Sequence, residues 1–247
     1  MISEALPVRA SFLDVWTRWR CKAVRSLRSR GVAGTVRHAV ALAKHDLSLR
    51  WVRYLDRVFD LRFGVDTAGV LVLPELQSDP RFKYSSHYEP TPRSLFFRML
   101  RQLDVDYSNF VFIDFGCGKG RVLLLAAELP FKQIVGIELS SKLFRVAENN
   151  LKSYLGPRRY NAVQIVCMDA SEYGIPEERA IYYFYNPFTA ETMRKVLENI
   201  RRSLAATPRE TYVVYFNDVL KSLLDESGFL TPIKQTSLYS IYKASGL

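Results

Sequence analysis

Three glycines alternate with other residues directly after an acid-ended apolar run in FVFIDFGCGKGRVLLLAAEL, residues 110–129. Gly116, Gly118 and Gly120 remove side chains, so a ligand can approach the backbone closely. The helical pattern that follows places a helix N-terminus behind them, the usual seat of a negatively charged group. Asp114 argues against such a group. A carboxylate two residues before the first glycine repels a pyrophosphate and attracts an ammonium. The known phosphate-gripping spacings also fail: the Gly-Lys of this loop is followed by Gly120 rather than Ser or Thr, and the glycines run G-x-G-x-G rather than G-x-G-x-x-G. A ligand with an amino-acid end and an adenosine end suits the loop better than one carrying phosphates.

The elements around this loop alternate between strand and helix. Apolar runs predict strands at 110–115, 133–138, 162–167, 179–186 and 211–216, with two closing strands at 229–234 and 237–243. Helical patterns cover 92–104, 119–129, 140–153, 189–205 and 218–226. Such alternation requires a parallel sheet covered on both faces, and FVFIDF and IYYFYN have the continuous apolar character of strands buried on both sides. The closing strands lack room for a crossover helix and must pair antiparallel. The expected fold is therefore α/β: a doubly wound, seven-stranded, mostly parallel sheet with an antiparallel C-terminal pair and an N-terminal helical extension. The expected division is a basic extension and linker over 1–84 and a ligand-binding domain over 85–247.

With DFGCGKG after the first strand, Glu138 ending the second and Asp169 following the third, the sequence resembles the class I S-adenosylmethionine-dependent methyltransferases. The resemblance spans about residues 85–243 and implies S-adenosylmethionine as cofactor. It implies that Asp114 faces the methionine ammonium beside Gly116, Gly118 and Gly120. Glu138 would take both ribose hydroxyls, and Asp169 would meet the adenine amino group with Ala170 beside the ring. HYEPTPRSL at 87–95 is similar to a segment preceding the core of the non-SET lysine methyltransferases, which implies Tyr88, Glu89 and Thr91 at the methionine end. GKGR follows the layout of the same group and implies Arg121 near that end. Taken without the resemblance, residues 87–92 read equally well as a Pro-stiffened linker.

YYFYNPFT, which ends the fourth strand, resembles the [DNS]-P-P-[YF] motif of amino-group methyltransferases with one proline missing. Asn186 and Pro187 would then orient a target amine through two acceptor oxygens, and Phe188 would wall it in. Aiming two N–H donors at fixed acceptors points the nitrogen lone pair at the methyl group. The implied activity is N-methylation of an amine such as a protein lysine. A small-molecule O-methyltransferase and a non-catalytic cofactor-binding module that recruits a partner are the alternatives, and Asn186-Pro187 also fits a plain strand-ending turn. Alternation along the strand places Tyr182 and Phe184 on the side of Asn186, opposite Tyr183 and Tyr185.

Of the formal net charge of +10, the first 62 residues hold 13 Lys/Arg against 5 Asp/Glu, leaving +2 for the rest. Two amphipathic helical patterns fill this segment: Phe12, Trp16, Trp19, Ala23 and Leu27, then Val36 through Val58. Residues 9–62 read as a cap on the core, as a contact for an anionic membrane surface, or as a contact for an acidic partner or nucleic acid. No apolar run is long enough to span a bilayer and the N-terminus lacks a secretory pattern. Cys21, Cys117 and Cys167, odd in number and widely spaced, suggest free thiols in a reducing compartment. The expectation is a cytoplasmic protein, with peripheral membrane contact through the basic helices, and no structural metal.

Overall fold

The computed structural model describes residues 37, 50–72 and 87–245. The chain forms two compact units, Met1–Val52 and Arg53–Leu247, and the second holds the sheet. The helical pattern over 12–27, the break at 30–34 and most of the pattern before residue 50 lie outside the described residues, as does 73–86 of the Pro-punctuated connection.

Within the second unit, helix α1 covers 53–63 and ends at Gly64, whose φ of 68° is left-handed. A two-stranded antiparallel ladder then pairs β1 (Leu71–Val72) with β2 (His87–Tyr88). Helix α2 (Arg93–Leu100) leads into the main sheet: β3 (Val111–Phe115), α3 (Arg121–Ala126), β4 (Gln133–Glu138), α4 (Ser141–Ser153), β5 (Val163–Cys167), β6 (Ala180–Tyr185), α5 (Ala190–Ala206), β7 (Thr211–Phe216), α6 (Lys221–Asp225), β8 (Leu230–Gln235) and β9 (Tyr239–Ala244). The strand order is β5-β4-β3-β6-β7-β9-β8. The first five strands run parallel, and β9 pairs antiparallel with both β7 and β8. This is the doubly wound sheet with a reversed C-terminal pair that the alternation predicts.

All five residues of β3 are buried, as a central parallel strand requires. Side-chain alternation sends Val111, Ile113 and Phe115 to one face, against Met193, Val196 and Ile200 of α5. Phe112 goes to the other, beneath Phe96 of α2 and Leu123 of α3, with Phe59 of α1 in the same cluster. Asp114 follows Phe112 in the alternation, so the acid emerges on the α1–α3 side of the sheet.

Helix ends explain where element bounds differ from the sequence pattern. Gly120 adopts φ 82° immediately before α3, so that helix starts at Arg121 rather than 119. Asn217 has φ 50° and its carbonyl accepts from Val219 N, a local turn that delays α6 to Lys221. Thr189 caps α5 by accepting from Thr192 N at 3.2 Å, and α5 begins at the next residue.

Candidate active site

The sheet reverses direction of winding at β3, which lies between β4 and β6. Ligands of open α/β sheets sit outside the carboxyl ends of the strands at such a point. A cavity opens there. It is lined by Asp114, Gly116 and Gly118 after β3, Glu138 at the end of β4, Asp169 and Ala170 after β5, and Asn186, Pro187 and Phe188 after β6. Tyr88, Glu89 and Thr91 close it from the β2 side, and Arg121 also borders it. Gly120 stands behind this wall: a side chain there would meet Ala147 of α4 at 3.2 Å.

Two glycines are demanded by contact as well as by backbone. Gly116 has φ 83°, and an added Cβ would come 2.6 Å from Pro187 Cβ. Gly118 has φ 57°, and an added Cβ would come 2.3 Å from the Tyr88 ring. The glycine loop is thus clasped between the Asn186-Pro187 turn and the tyrosine. Its start is fixed to the sheet, because Gly116 N and Cys117 N both donate to Ile137 O.

The carboxylates differ in how they are held. Glu138 Oε2 accepts from Gly118 N and Oε1 from Ser140 N, both at 2.8 Å. Each oxygen keeps lone-pair capacity toward the cavity. Burial raises the pKa of Glu138, opposed by those amide bonds. Asp169 Oδ1 accepts from Ser171 N at 2.8 Å and Ser171 Oγ at 2.7 Å, fixing the turn that presents Ala170. Asp114 is 3% exposed, and among the described residues no group donates a hydrogen bond to its carboxyl. Burial first, then the nearby Glu138 charge, push its pKa well above the ordinary carboxylate range. A buried acid aimed into a cavity without a cation is the complement of an ammonium.

Where β6 meets the cavity, Tyr185 OH donates to Glu89 Oε2 at 2.8 Å, and Tyr183 OH pairs with Thr91 Oγ1 at 2.9 Å. Both tyrosines line the cavity with Asn186, whereas Tyr182 and Phe184 lie in the core under α5. Asn186 bonds to Tyr215, on the face of Tyr182 and Phe184 as alternation expects, and its φ of 41° ends the strand so that it reaches the cavity from the turn beyond. Asn186 Oδ1 accepts from Tyr215 OH at 3.3 Å, and that hydroxyl accepts from Leu220 N at 3.3 Å. Asn217 also lines the cavity, one strand over, with the same left-handed backbone. It was not singled out from the sequence, although YFN at 215–217 repeats the pattern of FYN at 184–186. Thr192, in the first turn of α5, is a second unforeseen lining residue.

Arg121 borders the cavity, but its charged group is engaged elsewhere. Its guanidinium is 2% exposed and committed to Asp56, Asp60 and Thr67. What remains facing the cavity is a set of four carboxylates, Glu89, Asp114, Glu138 and Asp169, with no lysine. A positively charged ligand with an ammonium, vicinal hydroxyls and an aromatic base fits this set, and the residues present fit S-adenosylmethionine. That cofactor supplies, when bound, a methyl group on a sulfonium with a good leaving group. The chain's part is to bind and align, since the reaction needs little acid–base machinery.

A methyltransferase-domain family model matches residues 112–207. A curated protein-lysine N-methyltransferase from Saccharolobus islandicus is 36% identical over 66 residues, or 26% of this chain and 40% of that protein. The chain therefore spans well under half of that relative. Among solved structures, a TehB-like SAM-dependent methyltransferase from Corynebacterium glutamicum superposes with TM-score 0.44 at 16% identity, covering 61% of this chain and 87% of that one. A protein from Pyrococcus horikoshii described as a putative RNA methyltransferase gives TM-score 0.47 at 17% identity, covering 71% and 96%. The family match covers the stretch that carries Asp114, the glycines, Glu138, Asp169 and Asn186. Residues 112–207 are thus similar to a methyltransferase domain, and they carry most of the cavity's lining.

Proposed function

We propose that the enzyme methylates nitrogen, with a protein lysine side chain as the favoured acceptor. The observation that carries this reading is the Asn186 carboxamide at the cavity rim. Its carbonyl is oriented by the Leu220–Tyr215–Asn186 hydrogen-bond chain, and Phe188 stands beside it. A fixed acceptor oxygen next to the cofactor loop is what an incoming N–H requires.

A lysine arrives as an ammonium and must lose a proton before its nitrogen can attack. Glu89 with Tyr185 is placed to receive it: the proton passes to the phenol oxygen as the phenol's own proton moves to the carboxylate. The nitrogen–methyl bond then forms as the carbon–sulfur bond breaks, and that electron pair stays on sulfur. The local likeness to a protein named as a lysine N-methyltransferase points the same way. The Glu89–Tyr185 pair would also serve a hydroxyl acceptor, which keeps O-methylation as the second reading.

Residues 9–62 remain the proposed contact for an anionic membrane surface, an acidic partner or nucleic acid. In the described part of that stretch, Arg53, Arg57, Leu55 and Leu61 face solvent while Asp56 and Asp60 turn inward to Arg121. Among the described residues, no helix is long and apolar enough to cross a membrane.

Incubating the enzyme with tritiated cofactor and a cell lysate tests the acceptor. Label in protein that survives alkali and elutes as methyl-lysine after hydrolysis is expected. Label that alkali releases, or that stays in small molecules, overturns the lysine reading.

A further inference from the structure

The glycine loop is held from a part of the chain that lies outside the family match. Lys119 and Arg121, on either side of Gly120, both turn their side chains back to residues 56–68. Arg121 Nε donates to Thr67 Oγ1 at 2.5 Å, Nη1 to Asp56 Oδ1 at 3.3 Å and Nη2 to Asp60 Oδ1 at 3.3 Å. Its guanidinium carbon lies 4.0 Å from the Phe59 ring centroid. Asp60 in turn accepts from Thr67 Oγ1 at 2.6 Å, Thr67 N at 2.7 Å and Ala68 N at 2.6 Å, so the turn after α1 is wound around one carboxylate. Lys119 Nζ reaches Asp66 at 2.8 Å, and Asn150 Nδ2 donates to both Asp66 O and Lys119 O at 2.9 Å.

The end of this network is a lining residue. Thr67, fully buried, accepts the Tyr88 hydroxyl on its carbonyl oxygen at 2.8 Å. The Tyr88 ring is the one packed on Gly118.

We propose that Arg121, Asp56, Asp60 and Thr67 are positioning residues for the cofactor's amino-acid end: they fix Tyr88 against Gly118 and so pre-shape the glycine loop. Three physical points support this. A loop with glycines at alternate positions has little rigidity of its own and loses much conformational freedom when ordered. Binding tightens when that ordering is done in advance. A buried Arg–Asp–Asp cluster is a poor source of net stability, since desolvation offsets the attraction, and its better-attested use is to fix one conformation. Burial is the largest influence on both partners here, raising Asp56 to about 6 and lowering Arg121.

Calorimetry on the full chain tests this, with S-adenosylmethionine and with 5′-methylthioadenosine, which lacks the amino-acid end. Tyr88→Phe keeps the ring and removes only the bond to Thr67; Thr67→Val keeps the shape and breaks the relay at Asp60 and Arg121. Each is expected to weaken S-adenosylmethionine roughly tenfold, about one lost buried hydrogen bond, and to leave methylthioadenosine within twofold. The double variant should do no worse than the weaker-binding single, because both cut one chain of contacts. Proportional loss of both ligands, unchanged S-adenosylmethionine affinity, or additive effects would each overturn the proposal. If Thr67→Val does not fold, Tyr88→Phe with the two ligands decides alone.

Discussion

Around the glycine loop, Glu138 grips two backbone amides at 2.8 Å and Asp169 caps its own turn, whereas at the opposite rim Asn186 is steadied by one hydroxyl at 3.3 Å and Glu89 stands exposed. The cofactor side is built from strand ends, backbone bonds and buried carboxylates. The proposed acceptor side is built from bonds between side chains. The first suits a ligand that is the same in every turnover. The second suits a partner whose body lies outside the protein, with only its reactive group admitted.

That contrast makes substitutions separable by what they change, in binding or in turnover. The largest expected effect is that of Asp114→Asn. Losing a charge-assisted contact to an ammonium costs about 3 kcal/mol, or roughly 150-fold in S-adenosylmethionine affinity by calorimetry. The same variant should raise the thermal midpoint of the ligand-free protein, because it removes a buried carboxyl with no donor. Asn186→Ala should leave cofactor affinity within twofold and lower kcat roughly 100-fold, the scale of a misaligned acceptor. A fall in cofactor affinity instead would erase the distinction between the two sides.

A pH titration sharpens it further. With its pKa raised in the ligand-free protein, Asp114 must shed a proton to receive an ammonium. Affinity should climb with pH up to about tenfold per unit below that pKa, with proton release visible when buffers of different ionisation enthalpy are compared. Stability of the ligand-free form should move oppositely. Asp56, Asp114 and Glu138 all titrate higher folded than unfolded. Their contribution is whole below pH 4 and declines as pH rises through the folded values, near 6 for Asp56. The smallest effect is predicted for Tyr215→Phe, which should cost kcat about 1 kcal/mol, roughly fivefold, with cofactor affinity unchanged.

Much of the cofactor side was legible in the sequence because its determinants are local. β4 and β7 fall at the expected 133–138 and 211–216, since each is an apolar run bounded by polar or turn residues. The positions of Asp114, Glu138 and Asp169 follow from being at strand ends. Two things were not legible. The cavity takes groups from both faces of β6: Tyr183 and Tyr185 from one, and Asn186, on the face of Tyr182 and Phe184, from the turn beyond the strand. The partners of Arg121 lie 61 and 65 residues away on α1, where Asp56 and Asp60 look like the polar face of any amphipathic helix. Periodicity reports which face is buried but not which distant cation it meets.

The near-contact between Gly116 and Pro187 bears on how this enzyme could acquire new substrates. The acceptor turn and the cofactor loop share a partition about one atom thick, so neither can be reshaped without bruising the other. Changes that retune acceptor choice at little expense must come from Tyr185, Phe188 or Asn217, around the rim. Libraries aimed at redirecting the enzyme should vary those three and leave the partition intact.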